Sequence, residues 1–267
     1  DVVLHTNDLH VWYGDNEAIK GVDLQFEKNK VTSLIGPSGC GKSTYLRSLN
    51  RMNDEIAHTK VTGEIMYKGV NINSKQVDVY ETRQRIGMVF QRPNPFSKSI
   101  YENIAFAMEA VGKTEEEISS DVPHVLELVD LSNKVSHFPH QMSGGEKQRI
   151  SLIRNLQFMP KVLLLDEITS ALDESNKHNV NEMIHRYVRE QNIAVLWVTH
   201  DKDEINHADK EEPELETCFE ALYGILLLKL QKKEISEETR KAQEAISTLL
   251  AMLSNYYIED KKGELEF

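Results

Sequence analysis

Apolar residues recur along this chain with more than one period, and each period predicts a different element. "KVLLLDE" (161–167) and "IAVLWVTH" (193–200) are near-continuous apolar runs ending in polar residues, the pattern of parallel strands buried on both faces. "VTSLI" (31–35) is a shorter run that stops at a glycine-rich loop, and "KSTYLRSLNRM" beyond it has helical character, so strand, loop and helix follow one another. Residues 1–30 alternate in the manner of antiparallel strands, with "YGDNEAIKG" supplying turn residues between them. After the apolar "IGMVF", prolines in "RPNPF" break the chain ahead of helices predicted over 99–111 and 114–130, which reads as a helical insert from 92 to 140. The order of strands and helices predicts an α/β core. Polar groups at the C-terminal ends of parallel strands are where such sheets bind ligands.

Beyond Lys210 the pattern changes. "EEPELE" is an acidic, proline-marked break, and Ser236 followed by two glutamates is a helix start. Ala242, Ala245, Ile246, Leu249, Leu250, Leu253 and Tyr257 then recur at helical spacing, which predicts an appended helical hairpin of roughly 214–231 and 236–257. Its apolar stripe packs on the preceding domain or on its own partner helix; a dimerisation or regulatory role is the alternative.

Bulk properties narrow the function classes. The 267-residue chain carries a formal charge of -12, which argues against a nucleic-acid partner. Two cysteines, Cys40 and Cys218, make no disulfide framework and suit a reducing cytosol. The longest nearly unbroken apolar run, "ALYGILLLKL" (221–230), is about half the roughly 20 residues a spanning helix needs, so no direct membrane insertion is expected and any membrane role passes through a partner.

The chemistry sits in a few short motifs. "GPSGCGKST" (36–44) fits the phosphate-binding pattern G-x-x-x-x-G-K-[ST] between a predicted strand and a predicted helix. Gly36, Gly39 and Gly41, with Pro37, Ser38 and Cys40 between them, let backbone N–H groups converge on a polyphosphate at the positive end of the helix. Lys42 would reach the β- and γ-phosphates, Ser43 would ligate Mg²⁺, and Thr44, directly after the motif, is counted with the nucleotide-binding residues. "VLLLDEITSALD" (162–173) delivers Asp166 to the magnesium side and Glu167 to polarise an attacking water as general base. His200 ends the next apolar strand, where an imidazole can contact a γ-phosphate; His124, His137, His140 and His207 have no such setting and read as surface groups without zinc-ligand spacing. Tyr13 in "VWYGD" could stack on adenine, with Trp12 as the other ring or both as core. Gln91, where strand gives way to the proline loop, could reach Mg²⁺ or its water, though a solvated turn residue is the commoner role. "MSGGEKQRI" (142–150) places two adjacent glycines ahead of a helix, an entropic cost that implies a close backbone approach to something.

Taken together, these motifs resemble the ATP-binding subunit of ABC transporters. "GPSGCGKST" is similar to its Walker A loop, Gln91 to the Q-loop, "SGGEKQR" to the signature motif, "VLLLDE" to Walker B, "SALD" with Asp173 to the D-loop and His200 to the switch histidine. The resemblance implies a P-loop NTPase (RecA-like) core with N-terminal antiparallel strands and an inserted helical subdomain of about 92–158, the ATP-binding domain spanning 1–210 and the helical appendage 211–267. It implies ATP and Mg²⁺ as ligands and a homodimer in which Ser143, Gly144, Gly145 and Glu146 cap the γ-phosphate held by the partner's loop. It also implies an integral-membrane permease and a peripheral place on the cytoplasmic face of the bacterial inner membrane.

Residues 1–140 resemble the subunit of bacterial phosphate importers, through "LNRMNDEI", the connector "VDVYETRQRIGMVFQRPNPFSKSIYENI" and "YGDNEAIKGVDL". Residues 143–210 resemble that of an enterobacterial iron-homeostasis exporter, and the tail resembles neither. A recombined chain with seams near Met142 and Lys210 is therefore expected. Ile168 stands where the family has proline and Glu146 where it has glutamine, and the strands that normally come after the switch histidine are missing. Phosphate import is the leading expectation, with iron-linked export second. A non-transport ATP-binding module or an inactive chimera is the reading of another class.

Overall fold

The computed structural model describes residues 1–36, 39–170, 172–199, 201 and 205. His200, Pro37, Ser38 and the predicted C-terminal hairpin lie outside them. The chain opens with β1 (Val2–Tyr13), β2 (Asn16–Val22) and β3 (Gln25–Glu27), and β4 (Val31–Leu34) leads through the glycine loop into α1 (Lys42–Leu49). Next are β5 (Thr59–Tyr67), β6 (Val70–Asn71), α2 (Val79–Arg85) and β7 (Ile86–Val89). Then come α3 (Ile100–Ala110), α4 (Glu115–Glu127), α5 (Gly144–Gln157), β8 (Val162–Asp166), α6 (Glu174–Gln191) and β9 (Ala194–Val198).

Two sheets divide the work. The parallel sheet runs β4-β9-β8-β7, and every residue of its four strands is buried. This is why the strands read as continuous apolar runs rather than alternating ones. Its register pairs Leu34 with Val198, Val198 with Asp166 and Leu165 with Val89. The C-terminal ends of all four strands therefore come level, and the segments leaving them emerge along one edge of the sheet. In the antiparallel sheet β1 pairs with β2 and β3 on one side and β5 on the other. The turn predicted over "YGDNEAIKG" shrinks to Gly14 and Asp15, because Asn16–Val22 is itself a strand.

The helix predicted over "KSTYLRSLNRM" stops at Leu49. Arg51 adopts a left-handed backbone, φ 62, and a short 3-10 turn, Met52–Glu55, carries the chain back beside α1. Asn53 fastens it there, donating to the Thr44 carbonyl at 2.9 Å and to Ser48 Oγ at 2.7 Å. α3 and α4 start where predicted because Ser99 and Thr114 form capping boxes with Glu102 and Glu117, satisfying N–H groups that a bare helix start leaves open. The core joins Trp197, Leu163 and Leu165 of the parallel sheet to Ile104 and Met108 of α3 and Ile150 of α5. Each such fully buried side chain stabilises the fold by about 1.5–3 kcal/mol over the exposed state.

Candidate functional site

The loop after β4 is shaped for an anion. Gly39 and Gly41 have φ of 81° and 105°, and a Cβ on Gly41 would lie 2.6 Å from Ile19 Cδ1. The backbone angle strains any side chain at this position, and a Cβ would in addition displace the end of the Ile19 side chain. Gly41 caps α1 without a side-chain hydrogen bond, and the first turn of α1 holds no acid. The positive end of the helix is thus left for an incoming anion. Lys42 Nζ donates to the Gly36 carbonyl at 2.7 Å and lies 3.9 Å from the free thiol of Cys40. A bare-backbone cradle, a helix start and an ammonium group together fit a polyphosphate.

The oxygen donors stand across the aligned strand ends. Ser43 Oγ donates to Asp166 Oδ1 at 2.8 Å, joining the start of α1 to the end of β8. Burial pushes the Asp166 carboxyl above the usual range, against the Ser43 hydrogen bond and the positive charges of Arg47 and Lys42. A hydroxyl and a buried, charge-strained carboxylate fit a hard divalent cation with oxygen ligands, Mg²⁺ among them. Glu167 comes next with a left-handed backbone, φ 49, its N–H bonded to the Val198 carbonyl at 2.9 Å. Gln91 Nε2 donates to Glu167 Oε2 at 3.1 Å. Lys42, Ser43, Asp166, Glu167 and Gln91 are therefore brought together from three separate stretches of sequence.

Tyr13 reaches the same helix from β1. Its hydroxyl donates to Asn53 Oδ1 at 3.0 Å and meets Thr44 Oγ1 at 3.3 Å. Trp12 points elsewhere, stacked on His10 with centroids 5.3 Å apart and with Lys60 Nζ over its ring at 5.0 Å. Of the two rings offered by the sequence, only Tyr13 is tied to the phosphate-loop helix. Asp173 caps α6, accepting from the Asn176 N–H at 2.9 Å.

The signature segment forms a separate feature. Ser143 caps α5 and Glu146 closes the box, Ser143 N–H to Glu146 Oε2 at 2.8 Å and Glu146 N–H to Ser143 Oγ at 3.2 Å. The backbone hydrogen bond from Ser143 holds the Glu146 carboxyl below the usual range, despite partial burial. Ser143 and Gly144 are exposed. A Cβ on Gly145 would come within 3.3 Å of Leu172 Cδ2, whereas one on Gly144 would meet nothing within 4 Å. The close approach that the glycine pair implied is thus met within the chain at Gly145 only.

Some residues that shape the site carry no motif. Gln148 donates to the Phe90 carbonyl at 3.1 Å, Ser151 Oγ accepts from the Asn94 N–H at 3.3 Å, and Arg154 donates to the Asn94 carbonyl at 3.2 Å. One face of α5 therefore grips the loop that carries Gln91. The spacing of Gln148, Ser151 and Arg154, three residues apart on one helix face, was the available signal. Asn53 had none.

A family model described as ABC transporter matches residues 19–170, more than half of the chain. The chain belongs to the ABC transporter family. Within it, the chain is 54% identical over 204 residues to the phosphate import ATP-binding protein PstB 2 of Enterococcus faecalis, covering 74% of this chain and 75% of that one. It is 52% identical over 200 residues to PstB 2 of Listeria monocytogenes, covering 73% of each. Both alignments are longer than the 140 residues over which the importer likeness was read from sequence. Among solved ABC transporter structures, cbiO1 of Clostridium perfringens, part of the cbiONQ complex, superposes with TM-score 0.66 and 29% identity, covering 77% of this chain and 81% of that one. A second family model, described as domain of unknown function (DUF4924), matches residues 172–264. No described helix is long and apolar enough to cross a membrane.

Proposed function

We propose that this chain is the ATP-hydrolysing subunit of an ABC importer, that it energises a separate membrane permease from the cytoplasmic face, and that the cargo is inorganic phosphate. The cargo is taken from the phosphate importers that the chain resembles over some 200 residues; they favour this reading over iron-linked export. The observation that carries the catalytic part is the cluster at the strand ends, where Ser43, Asp166, Glu167 and Gln91 are linked by hydrogen bonds of 2.8 and 3.1 Å.

Residues 36–44 would hold the triphosphate, Lys42 balancing its charge and Tyr13 meeting the base. Ser43, Asp166 and Gln91 would hold Mg²⁺, which when bound neutralises phosphate oxygens. Glu167 takes a proton from the attacking water as the water oxygen bonds to the γ-phosphorus and the bridging oxygen departs with ADP. His200 would hold the γ-phosphate through this step. Asp173 would lie at the subunit boundary. Ser143, Gly144, Gly145 and Glu146 would complete the site of a second copy in a twofold dimer. The exposure of Gly144 supports this: it opens α5 and, among the described residues, no neighbour lies close enough to a Cβ there to require glycine.

Phosphate release from the purified chain at saturating ATP, with Lys42→Ala as control, tests the enzyme. Stimulation by a phosphate permease in vesicles tests the transport role. Release that is absent in both proteins would leave a nucleotide-binding module only; release untouched by the permease would point to a non-transport role.

A composite origin is supported by a specific observation, since the first family model ends at residue 170 and the second begins at 172. A join there falls inside the proposed ATP-binding domain of 1–210, which has a helical subdomain of about 92–158 and precedes the appendage of 211–267. The exporter-like stretch 143–210 would then straddle a join.

A further inference from the structure

Asn53 is fully buried, at 0% exposure, in the short 3-10 turn Met52–Glu55, which carries no catalytic motif. A buried carboxamide without partners would be destabilising, and here each end is satisfied by a group next to the nucleotide loop. Its oxygen accepts from the Tyr13 hydroxyl at 3.0 Å, while its nitrogen donates to the Thr44 carbonyl at 2.9 Å and to Ser48 Oγ at 2.7 Å. One side chain therefore bridges the end of β1, which carries the ring, and the first turns of α1, which carries Lys42 and Ser43.

The bracket that presents Asn53 is itself fixed from behind. Arg51 donates to the Val77 carbonyl at 3.0 Å and to Asp54 Oδ2 at 2.9 Å. Arg83 of α2 donates to the Arg51 carbonyl and to Glu55 Oε1, both at 2.9 Å. None of these four contacts involves the phosphate loop, so they fix the bracket independently of the loop's own contacts.

We infer that Asn53 is a positioning residue for nucleotide binding: through the Tyr13 hydroxyl it fixes the aromatic ring relative to the phosphate loop, and so sets how well base and triphosphate are held at once. This rests on the nucleotide reading above. A phosphate-only ligand has no use for the ring, whereas a purine nucleotide needs both ends in register. The geometry thus separates a base-side contribution from a phosphate-side one within one network.

Calorimetric titration of the purified chain with ATP and with inorganic tripolyphosphate tests it, using Asn53→Ala, Tyr13→Phe, their double variant and Tyr13→Ala, each checked for an unchanged melting transition. Tyr13→Phe keeps the ring and removes the hydroxyl contacts to Asn53 and Thr44, so it serves even where Asn53→Ala unfolds, and comparison with Asn53→Ala isolates the bridge. The expected result is ATP affinity about three- to tenfold weaker in Asn53→Ala and Tyr13→Phe, the loss associated with one hydrogen bond, and no weaker still in the double variant. Tripolyphosphate affinity should be unchanged in all of them. ATP affinity unchanged in Tyr13→Phe but lost in Tyr13→Ala would overturn the bridge while leaving the ring's role intact. ATP affinity unchanged in Tyr13→Ala would overturn the base contact itself, and an equal loss for both ligands would make Asn53 merely structural.

Discussion

Gln91 donates its side-chain amide to the Glu167 carboxylate at 3.1 Å, across 76 residues of sequence. The contact occupies one of the two carboxylate oxygens of the proposed base, and the loop behind Gln91 is gripped by Gln148, Ser151 and Arg154 of α5. On the proposed reading Gln91 would orient Glu167 and, with Mg²⁺ bound, would serve as one of the cation's oxygen ligands. Replacing Gln91 by Ala should reduce kcat by about ten- to a hundredfold, the range for losing one orienting partner at a metal site. ATP affinity measured in EDTA should not change. Steady-state phosphate release over a magnesium titration checks this, and an unaltered kcat would remove Gln91 from the site.

The proposed role of Asp166 is set against stability. Because burial raises its folded-state pKa, its ionised form destabilises the ligand-free fold above that pKa, and the penalty fades as pH falls through the folded pKa and is gone below the unfolded value. Asp166→Asn should raise the melting temperature in EDTA by about 2–4 °C at pH 8, the size expected for ~1 kcal/mol in a domain of this length. The gain should shrink towards pH 4, and magnesium should no longer tighten ATP binding. Melting curves across that pH range decide it; a variant less stable than the parent at pH 8 would show that the carboxylate is not strained.

The strand ends and the phosphate loop were legible in the sequence because burial on both faces leaves an uninterrupted apolar signal, and because Gly39 and Gly41 adopt positive φ angles that favour glycine. Other features left no such trace. α1 ends early because Asn53 ties the returning chain to Thr44 and Ser48, a contact between side chain and backbone that no hydrophobic period encodes. Trp12 and Tyr13 are adjacent in sequence, and only the hydrogen bonds of the Tyr13 hydroxyl distinguish them. The pairing of Ser143 with Glu146 was hidden for a different reason: the same spacing suits a simple helix cap and a phosphate clamp, and the chain uses it as a cap.

Gly144 separates those two uses. Since a Cβ there meets nothing within 4 Å, Gly144→Ala should leave the lone chain folded and slightly more stable, by about 0.4–1 kcal/mol. Hydrolysis should nonetheless fall at least tenfold, because the methyl group would enter the partner's nucleotide site. Chemical denaturation alongside an ATPase assay gives both quantities. Full activity with the added methyl would mean that no second copy approaches this glycine.

The central claim is that each nucleotide site is completed by another copy of the chain. Glu167→Gln removes the base and leaves the contacts to Lys42, Ser43 and Asp166 in place, so ATP should bind without being consumed. Light scattering on this variant with ATP and Mg²⁺ should give a particle of twice the 30.6 kDa chain mass, reverting to one chain when ATP is withdrawn. A single-chain mass at saturating ATP would contradict the account.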